Sequence, residues 1–552
     1  MRKSMAARRA TSATVVGVLA VAGLGLAASS SAAETSVEKV RASDISAWDA
    51  AGTDPVPTGW FAQADDQIGD GAYALVESSE GGDGDGNLRL TTPAGTDKAT
   101  LKKLAPAGTA LADVASGSYQ VKTTTGAAPA YQIVIDCNGG TFADSGFSTL
   151  NHIPTQAPAD GWKTWDTVSG GAATYWSTWN ILDDGTTSGA TVPEGKTVAI
   201  PRFEPRPLSA FQTACADGLA VTYGVSVGRD EAHVADVDHV AFNGSETNFQ
   251  VVTVERFAGS DRVATAVEAS QGLFPDKGDP DAAHAAVVAT AKDFADGLAG
   301  GPLAVAADGP LLLTNASFLD GRVATELQRL LAAGSPVYVL GGTNALSDEV
   351  EAGIAALGFE PIRLAGATRF STAVEIANEI GTPDAIFLTS GTNFPDALSA
   401  SPAAVRAGGV LLLTRDTAMT AETLAYLSEH SSATRFAIGG PAAQAAGALV
   451  SSANRIVGVN RFDTAVRTAQ RFFTGSAVVT FASGRAFPDA LGGGAFAGFV
   501  DAPMLLVEPS SVPAVLAAYL DGQRLSIDGA ALFGGTAAVS TSVENALTAA
   551  LN

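Results

Sequence analysis

The chain has 552 residues, 46% of them hydrophobic, which is enough apolar material for several cores and points to three or four domains. Its 57 acidic residues outnumber 33 Lys and Arg, giving a formal net charge of −24 at pH 7. A charge of this sign repels nucleic acid and anionic membrane over long range and excludes both as favoured partners.

The first nine residues contain Arg2, Lys3, Arg8 and Arg9 and no acid, and an apolar stretch from about Ala13 to Ala28 runs into Ser31-Ala32-Ala33. This pattern predicts a secretory signal peptide over residues 1–33, cleaved before Glu34. Loss of its four basic residues would take the net charge from −24 to −28. No later apolar run approaches the ~20 residues of a membrane span. The chain ends Ala549-Ala550-Leu551-Asn552, without a hydrophobic tail or an LPxTG sorting motif. A mature chain kept at a surface is therefore expected to be held by its own folded domains.

Residues 34–252 are rich in Gly, Thr, Ser and Trp, and short alternating runs dominate. Tyr131–Asp136, Thr197–Ile200, Leu219–Val227 and Val237–Phe242 read as strands between Gly, Pro and Asp turns. Many short strands over about 200 residues predict an all-β sandwich, jelly-roll-like in outline. Cys137 and Cys215 are the chain's two cysteines, and in a secreted protein they are expected to form a disulfide. Trp162, Trp165, Trp176 and Trp179 cluster closely; such rings either fill a sandwich core or offer platforms to sugar faces. Asp83-Gly-Asp85-Gly-Asn87 supplies the first oxygen positions of a calcium loop but lacks the following Gly and distal Glu, so a solvated hairpin is expected and no cofactor is predicted.

From residue 253 onward the chain repeats itself three times. The copies open with RFAGSDRVATAV at Arg256, RLAGATRFSTAV at Arg363 and RIVGVNRFDTAV at Arg455, each placing an arginine three residues after a glycine: Arg262, Arg369 and Arg461. Each then carries Phe-x-Asp: Phe294/Asp296, Phe394/Asp396 and Phe487/Asp489. Fifteen residues after each aspartate an apolar run begins, at Leu311, Leu411 and Met504, and a glycine pair follows at Gly341/Gly342, Gly439/Gly440 and Gly534/Gly535. Recurrence at this period defines small repeated domains, 253–362, 363–454 and 455–552.

In this order and spacing the motifs resemble the type 2 cell-wall-binding repeat of Gram-positive surface proteins. The resemblance implies non-covalent attachment to an anionic wall polymer through three similar subdomains around a pseudo-threefold axis, without implying catalysis. The chain's own negative charge makes local basic sites, bridging cations or neutral sugar contacts necessary for such binding.

Within the second copy, Ala385–Thr389 reads as a strand, Pro395 and Asp396 as the first turn of a helix, Val410–Leu413 as a strand, Ala421–Glu429 as a helix and Arg435–Ile438 as a strand ending at the glycine pair. Alternation of this kind predicts βαβ units on parallel sheets, with all three motifs at the carboxyl edge, where open α/β sheets bind ligands. Helix N-termini there would offer amides to phosphate or carboxylate, and the arginines a planar fork. Candidate ligand contacts are Arg262, Arg369, Arg461, Asp396, Asp489, Gly439, Gly440, Gly534 and Gly535. The alternative is that each arginine pairs with a repeat aspartate to fasten subdomains, the glycines serving as turns. The first copy departs from the pattern, with Ala295 in place of the Pro and Lys292 in place of the Gly.

Repeats of this family often accompany peptidoglycan hydrolases, so an enzyme is the rival class. Gly224-Val-Ser226-Val-Gly228 matches the G-x-S-x-G elbow, but the alternation runs straight through it and no helix follows, which places Ser226 inside a strand. His152, His233, His239, His284 and His430 show no familiar zinc spacing. A hydrolase with two carboxylates stays open, since their separation is invisible in sequence.

Overall fold

The computed structural model describes residues 36–48, 57, 59–77, 86–138, 146–154, 161–167 and 173–552. The predicted signal peptide and the Asp83 and Asp85 positions of the calcium-like loop lie outside these residues. The chain divides between Val252 and Thr253 into two compact units.

The N-terminal unit is built from a seven-stranded and an eight-stranded sheet, with a small three-stranded sheet beside them. The four expected strands appear as Ala130–Asp136, Val198–Ile200, Leu219–Gly228 and His233–Phe242. Alternation places Tyr131, Ile133, Ile135, Tyr223, Val225 and Val227 in one core with Leu88, Leu90, Val237 and Val240 of the other sheet. Tyr223 stacks on Phe242 at 4.6 Å between ring centroids, so the two large sheets face each other across that core. Pairing is mostly antiparallel, but Ser36–Val40 runs parallel to Ser245–Phe249 and Ser46–Trp48 parallel to Trp60–Gln63, so the sheets are mixed.

The unit is not purely β. Leu208–Ala214 is a helix because Leu208 and Phe211 are buried in the core while Gln212 reaches back to the carbonyls of Leu111 and Val114. It delivers Cys215 to Cys137, and the two form a disulfide with Cα atoms 4.7 Å apart. Closing a loop of 78 residues should stabilise the unit by about 4 kcal/mol on the chain-entropy account.

The C-terminal unit holds three four-stranded parallel sheets. In the second, the order is Gly409–Thr414, Ala385–Ser390, Thr434–Ile438, Arg455–Ile456. The central strands Ala286–Thr290, Ala385–Ser390 and Val478–Ser483 are buried along their whole length, as parallel strands covered by helices on both faces must be. The expected helix Ala421–Glu429 is present, and Pro395 starts the helix Pro395–Arg406.

Each sheet borrows its last strand from the stretch that opens the next copy in sequence. Glu360–Leu364 completes the first sheet and Arg455–Ile456 the second. The third is completed by Val254–Phe257, from the start of the first copy, in register with Ala530–Phe533. The three copies are thus tied in a closed ring of strand exchange. In the first copy the helix after Phe-x-Asp is Gly300–Ala306, seven residues against twelve in Pro395–Arg406 and Pro488–Phe499. Ala295 lacks the preset φ that Pro395 and Pro488 bring to a first helical turn, so the chain there begins its helix later.

Among the described residues no helix is long and apolar enough to cross a membrane.

Candidate functional site

The recurring motifs meet at three seams between copies. Helices Arg262–Leu273, Arg369–Ile380 and Arg461–Phe472 each begin at the repeat arginine. The arginine's Nη1 donates to a strand-end carbonyl of its own copy: Arg262 to Ala291 at 2.6 Å, Arg369 to Gly391 at 2.9 Å and Arg461 to Gly484 at 2.6 Å. Its guanidinium lies against a phenylalanine of another copy: Arg262 by Phe487, Arg369 by Phe294 and Arg461 by Phe394, at 5.4–5.8 Å. Cation–π attraction then acts across each seam. Phe294, Phe394 and Phe487 also touch one another pairwise, with centroids 5.5, 5.7 and 6.0 Å apart.

These carbonyl partners correct the alignment of the first copy. Ala291, not Lys292, occupies the place of Gly391 and Gly484, and Lys292 corresponds to Thr392 and Arg485. The arginine site of the first copy is therefore intact.

The repeat aspartates face a threonine of another copy as well as the arginine beside it. Asp296 bonds to Thr372, Asp396 to Thr464 and Asp489 to Thr265, again from one copy to another, with Arg369, Arg461 and Arg262 near enough to attract. Each threonine also accepts from the glycine of its own Gly-x-x-Arg turn, at 3.2 Å in every case. The arginines reach another copy through phenylalanine while bonding a carbonyl of their own, and arginine and threonine together attract the aspartates. These threonines were legible only as identical letters in RVATAV, RFSTAV and RFDTAV.

Burial raises all three carboxyls above the ordinary aspartate range, against the opposing pull of the arginine and threonine; Asp396 is pushed up to about 6. A folded value above the unfolded one means that the neutral form is favoured. Its stabilisation is complete below about pH 4 and lost as pH rises through about 6. Asp396→Asn, always neutral, should gain on the parent by about 2 kcal/mol between pH 4 and pH 8 in urea midpoints. A difference independent of pH would refute this account of Asp396.

The two glycines of each pair do different things. Gly341, Gly439 and Gly534 have φ of +92°, +89° and +110°, and a Cβ on any of them would collide with the carboxylate of Asp296, Asp396 or Asp489. Gly342 and Gly535 face open space, and Gly440 has only Val457 near it. The helix N-termini at the arginines are not open to an anion as expected. Asp261 accepts from the amides of Val263 and Ala264, Thr368 from Ser371, and Asn460 from Phe462 and Asp463. Asp261 adds a negative charge at that spot and pairs with Arg322. Exposed cations remain on the same edge: Arg262 and Lys292 in the first copy, Arg415 in the second, and in the third Arg485, which pairs with Glu508 beside a groove of about 500 Å³ that also holds Arg461.

In the N-terminal unit Trp165 packs against the core, while Trp176 and Trp179 line a cleft. Ser226 lies within the strand Leu219–Gly228 and bonds to Thr100 Oγ1 at 2.9 Å, so the nucleophile-elbow geometry is not formed. Asp230, Glu231 and His233 form a cluster with metal-ligand atom types. Both ring nitrogens of His233 already face partners, Asp230 Oδ1 at 2.7 Å and the Ala127 carbonyl at 3.2 Å, and Glu231 accepts from the Ala127 amide.

Three stretches, residues 256–351, 363–446 and 455–544, match the cell wall binding domain 2 (CWB2) family, so the C-terminal unit is a tandem array of CWB2 repeats. Over 297 residues the chain is 27% identical to the N-acetylmuramoyl-L-alanine amidase LytC of Bacillus subtilis, covering 53% of this chain and 58% of that protein. Over 310 residues it is 25% identical to the amidase enhancer of the same organism, covering 54% and 41%. The chain thus spans only about half the length of these relatives. The solved structure of Cwp6 from Clostridium difficile superposes with a TM-score of 0.50 at 17% identity, covering 88% of this chain and 68% of that one, a likeness of fold alone.

Proposed function

We propose that this is a secreted surface protein held non-covalently on an anionic cell-wall polymer by its three CWB2 repeats, with the N-terminal jelly-roll-like sandwich displayed as an interaction or glycan-binding module. The observation that carries the reading is the interlocking of three family repeats into one ring of contacts with exposed cations on its carboxyl edge. We read the phenylalanine triangle as lying on a pseudo-threefold axis. Gly301, Ser401 and Gly494, each five residues after its aspartate, support this, because Gly301 and Gly494 both approach the Ser401 hydroxyl. Small residues at such a point let three helices come together. Polymer contact is assigned to Arg262, Arg369 and Arg461 with the open glycines Gly440 and Gly535, while Asp396, Asp489, Gly439 and Gly534 shape the seams behind them.

The test is co-sedimentation of the chain with purified walls, before and after mild acid stripping of secondary polymers. Binding should vanish on stripping. It should fall for Arg369→Gln/Arg461→Gln and for Lys292→Gln/Arg415→Gln, the latter touching no seam contact. Undiminished binding to stripped walls would reject the polymer as the ligand. The alternative is a wall hydrolase targeted by the repeats, favoured only by the resemblance to LytC, which is confined to about half of each chain. That reading requires the purified chain to clear a wall suspension.

A further inference from the structure

The described N-terminal unit exposes four large hydrophobic side chains, Val37, Ile153, Trp179 and Phe203, and the last three line a single cleft of about 500 Å³. Scattered apolar residues need no explanation, but three gathered on one concavity mark a binding surface. Trp179 is 48% and Phe203 56% exposed, and Trp176 stands beside Phe203 with centroids 5.6 Å apart. The backbone that carries these rings is anchored. The Trp179 amide donates to Ser148 Oγ at 3.3 Å, and the Phe203 amide to the Ser177 carbonyl at 2.9 Å.

Phe203 sits at φ +61°, a left-handed conformation unusual for an aromatic residue, and Arg229 at φ +74° lines the same cleft. Strain of this kind persists where the surroundings impose it, and it concentrates at ligand sites. Here it turns an apolar ring toward solvent, which folding alone does not favour.

The floor of the cleft is polar. Trp176, Asn151 and Gln132 stand directly opposite one another on three adjacent strands, with Ser226 on the next. Gln132 is 5% exposed; its Nε2 donates to Asn151 Oδ1 at 2.7 Å, but its Oε1 has no hydrogen-bond partner. Apolar rings on the wall, amides and a hydroxyl on the floor, and the charged Lys98, Arg202, Arg229 and Asp230 in the lining match a sugar, whose faces are apolar and whose edges are polar.

We propose that this cleft binds an equatorially linked glycan, with sugar faces stacked on Trp179 and Phe203 and sugar hydroxyls meeting the polar groups around them. The assignment rests on the displayed-module reading above and gives that module its site and ligand class. Equatorial linkage keeps a chain extended, with its sugar faces open to stacking.

Titration of the full chain with cellohexaose, with maltohexaose as the axially linked control, tests it. Cellohexaose should bind and maltohexaose should bind at least tenfold more weakly. Trp179→Ala and Phe203→Gly should each weaken cellohexaose roughly tenfold, a change of about 1.4 kcal/mol. Phe203→Gly should melt no lower than the parent, because glycine tolerates the left-handed backbone, so its loss of binding cannot be ascribed to misfolding. Unchanged affinity in these variants, or equal binding of both oligosaccharides, would overturn the proposal. A chain that sediments with walls but ignores cellohexaose would overturn this cleft alone; one that binds cellohexaose but stays in the wall supernatant would overturn the anchor alone.

Discussion

Gly439→Ala is expected to destabilise the C-terminal unit by about 3 kcal/mol or more, while Gly440→Ala, one residue on, should change it by less than about 0.5 kcal/mol. They are neighbours in the same turn, Gly439 buried and Gly440 exposed, and sequence offers no reason to rank them. At Gly439 the backbone is left-handed, at φ +89°, and a Cβ would be driven into the Asp396 carboxylate, itself held by Thr464 of the neighbouring copy. Gly440 opens a helix and has room for a methyl group. Urea unfolding of the two variants reads the contrast directly. Combining Gly439→Ala with Asp396→Ala should recover the part of the loss due to collision and leave the part due to backbone strain. Equal midpoints for the two single variants would refute the division of labour between the glycines.

Phe257→Ala should cost about 3–5 kcal/mol, and its damage should appear in the third copy, some 270 residues away in sequence. Phe257 is 1% exposed, stacks on Phe533 at 5.5 Å and meets Phe496 at a tilt at 5.1 Å, both in the third copy. Its strand supplies the edge of that copy's sheet, and Arg256 secures the same junction through the Gly534 carbonyl and Glu544. Hydrogen exchange should therefore accelerate in Gly529–Phe533 as much as in the first copy's own strands. Protection of Gly529–Phe533 left intact would mean that ring closure by this strand is dispensable. The same logic predicts that the array gains stability as a closed set rather than copy by copy, unlike an open solenoid in which each repeat leans only on its neighbours.

The sequence by itself determined the repeat and its inner rhythm. Three recurrences of Gly-x-x-Arg, Phe-x-Asp and the glycine pair, set among buried apolar runs, sufficed to place strands such as Ala385–Ser390 and helices such as Ala421–Glu429, because periodicity and proline or glycine punctuation are local properties. The alternating strands of the N-terminal unit were legible for the same reason, as was the placement of Ser226 inside one of them. The helix Leu208–Ala214 was missed because it is short and stabilised by burial of Leu208 and Phe211 rather than by its own pattern. What only the tertiary structure decided is partnership between distant residues. Which arginine meets which phenylalanine, that a threonine of another copy faces each aspartate, and that Val254–Phe257 closes the third sheet all depend on contacts between copies, and identical motifs cannot reveal which neighbour each one faces. The cleft beneath Trp179 and Phe203 is of the same kind: its rings and amides come from separate strands and loops, and only the folded sheet brings them to one face.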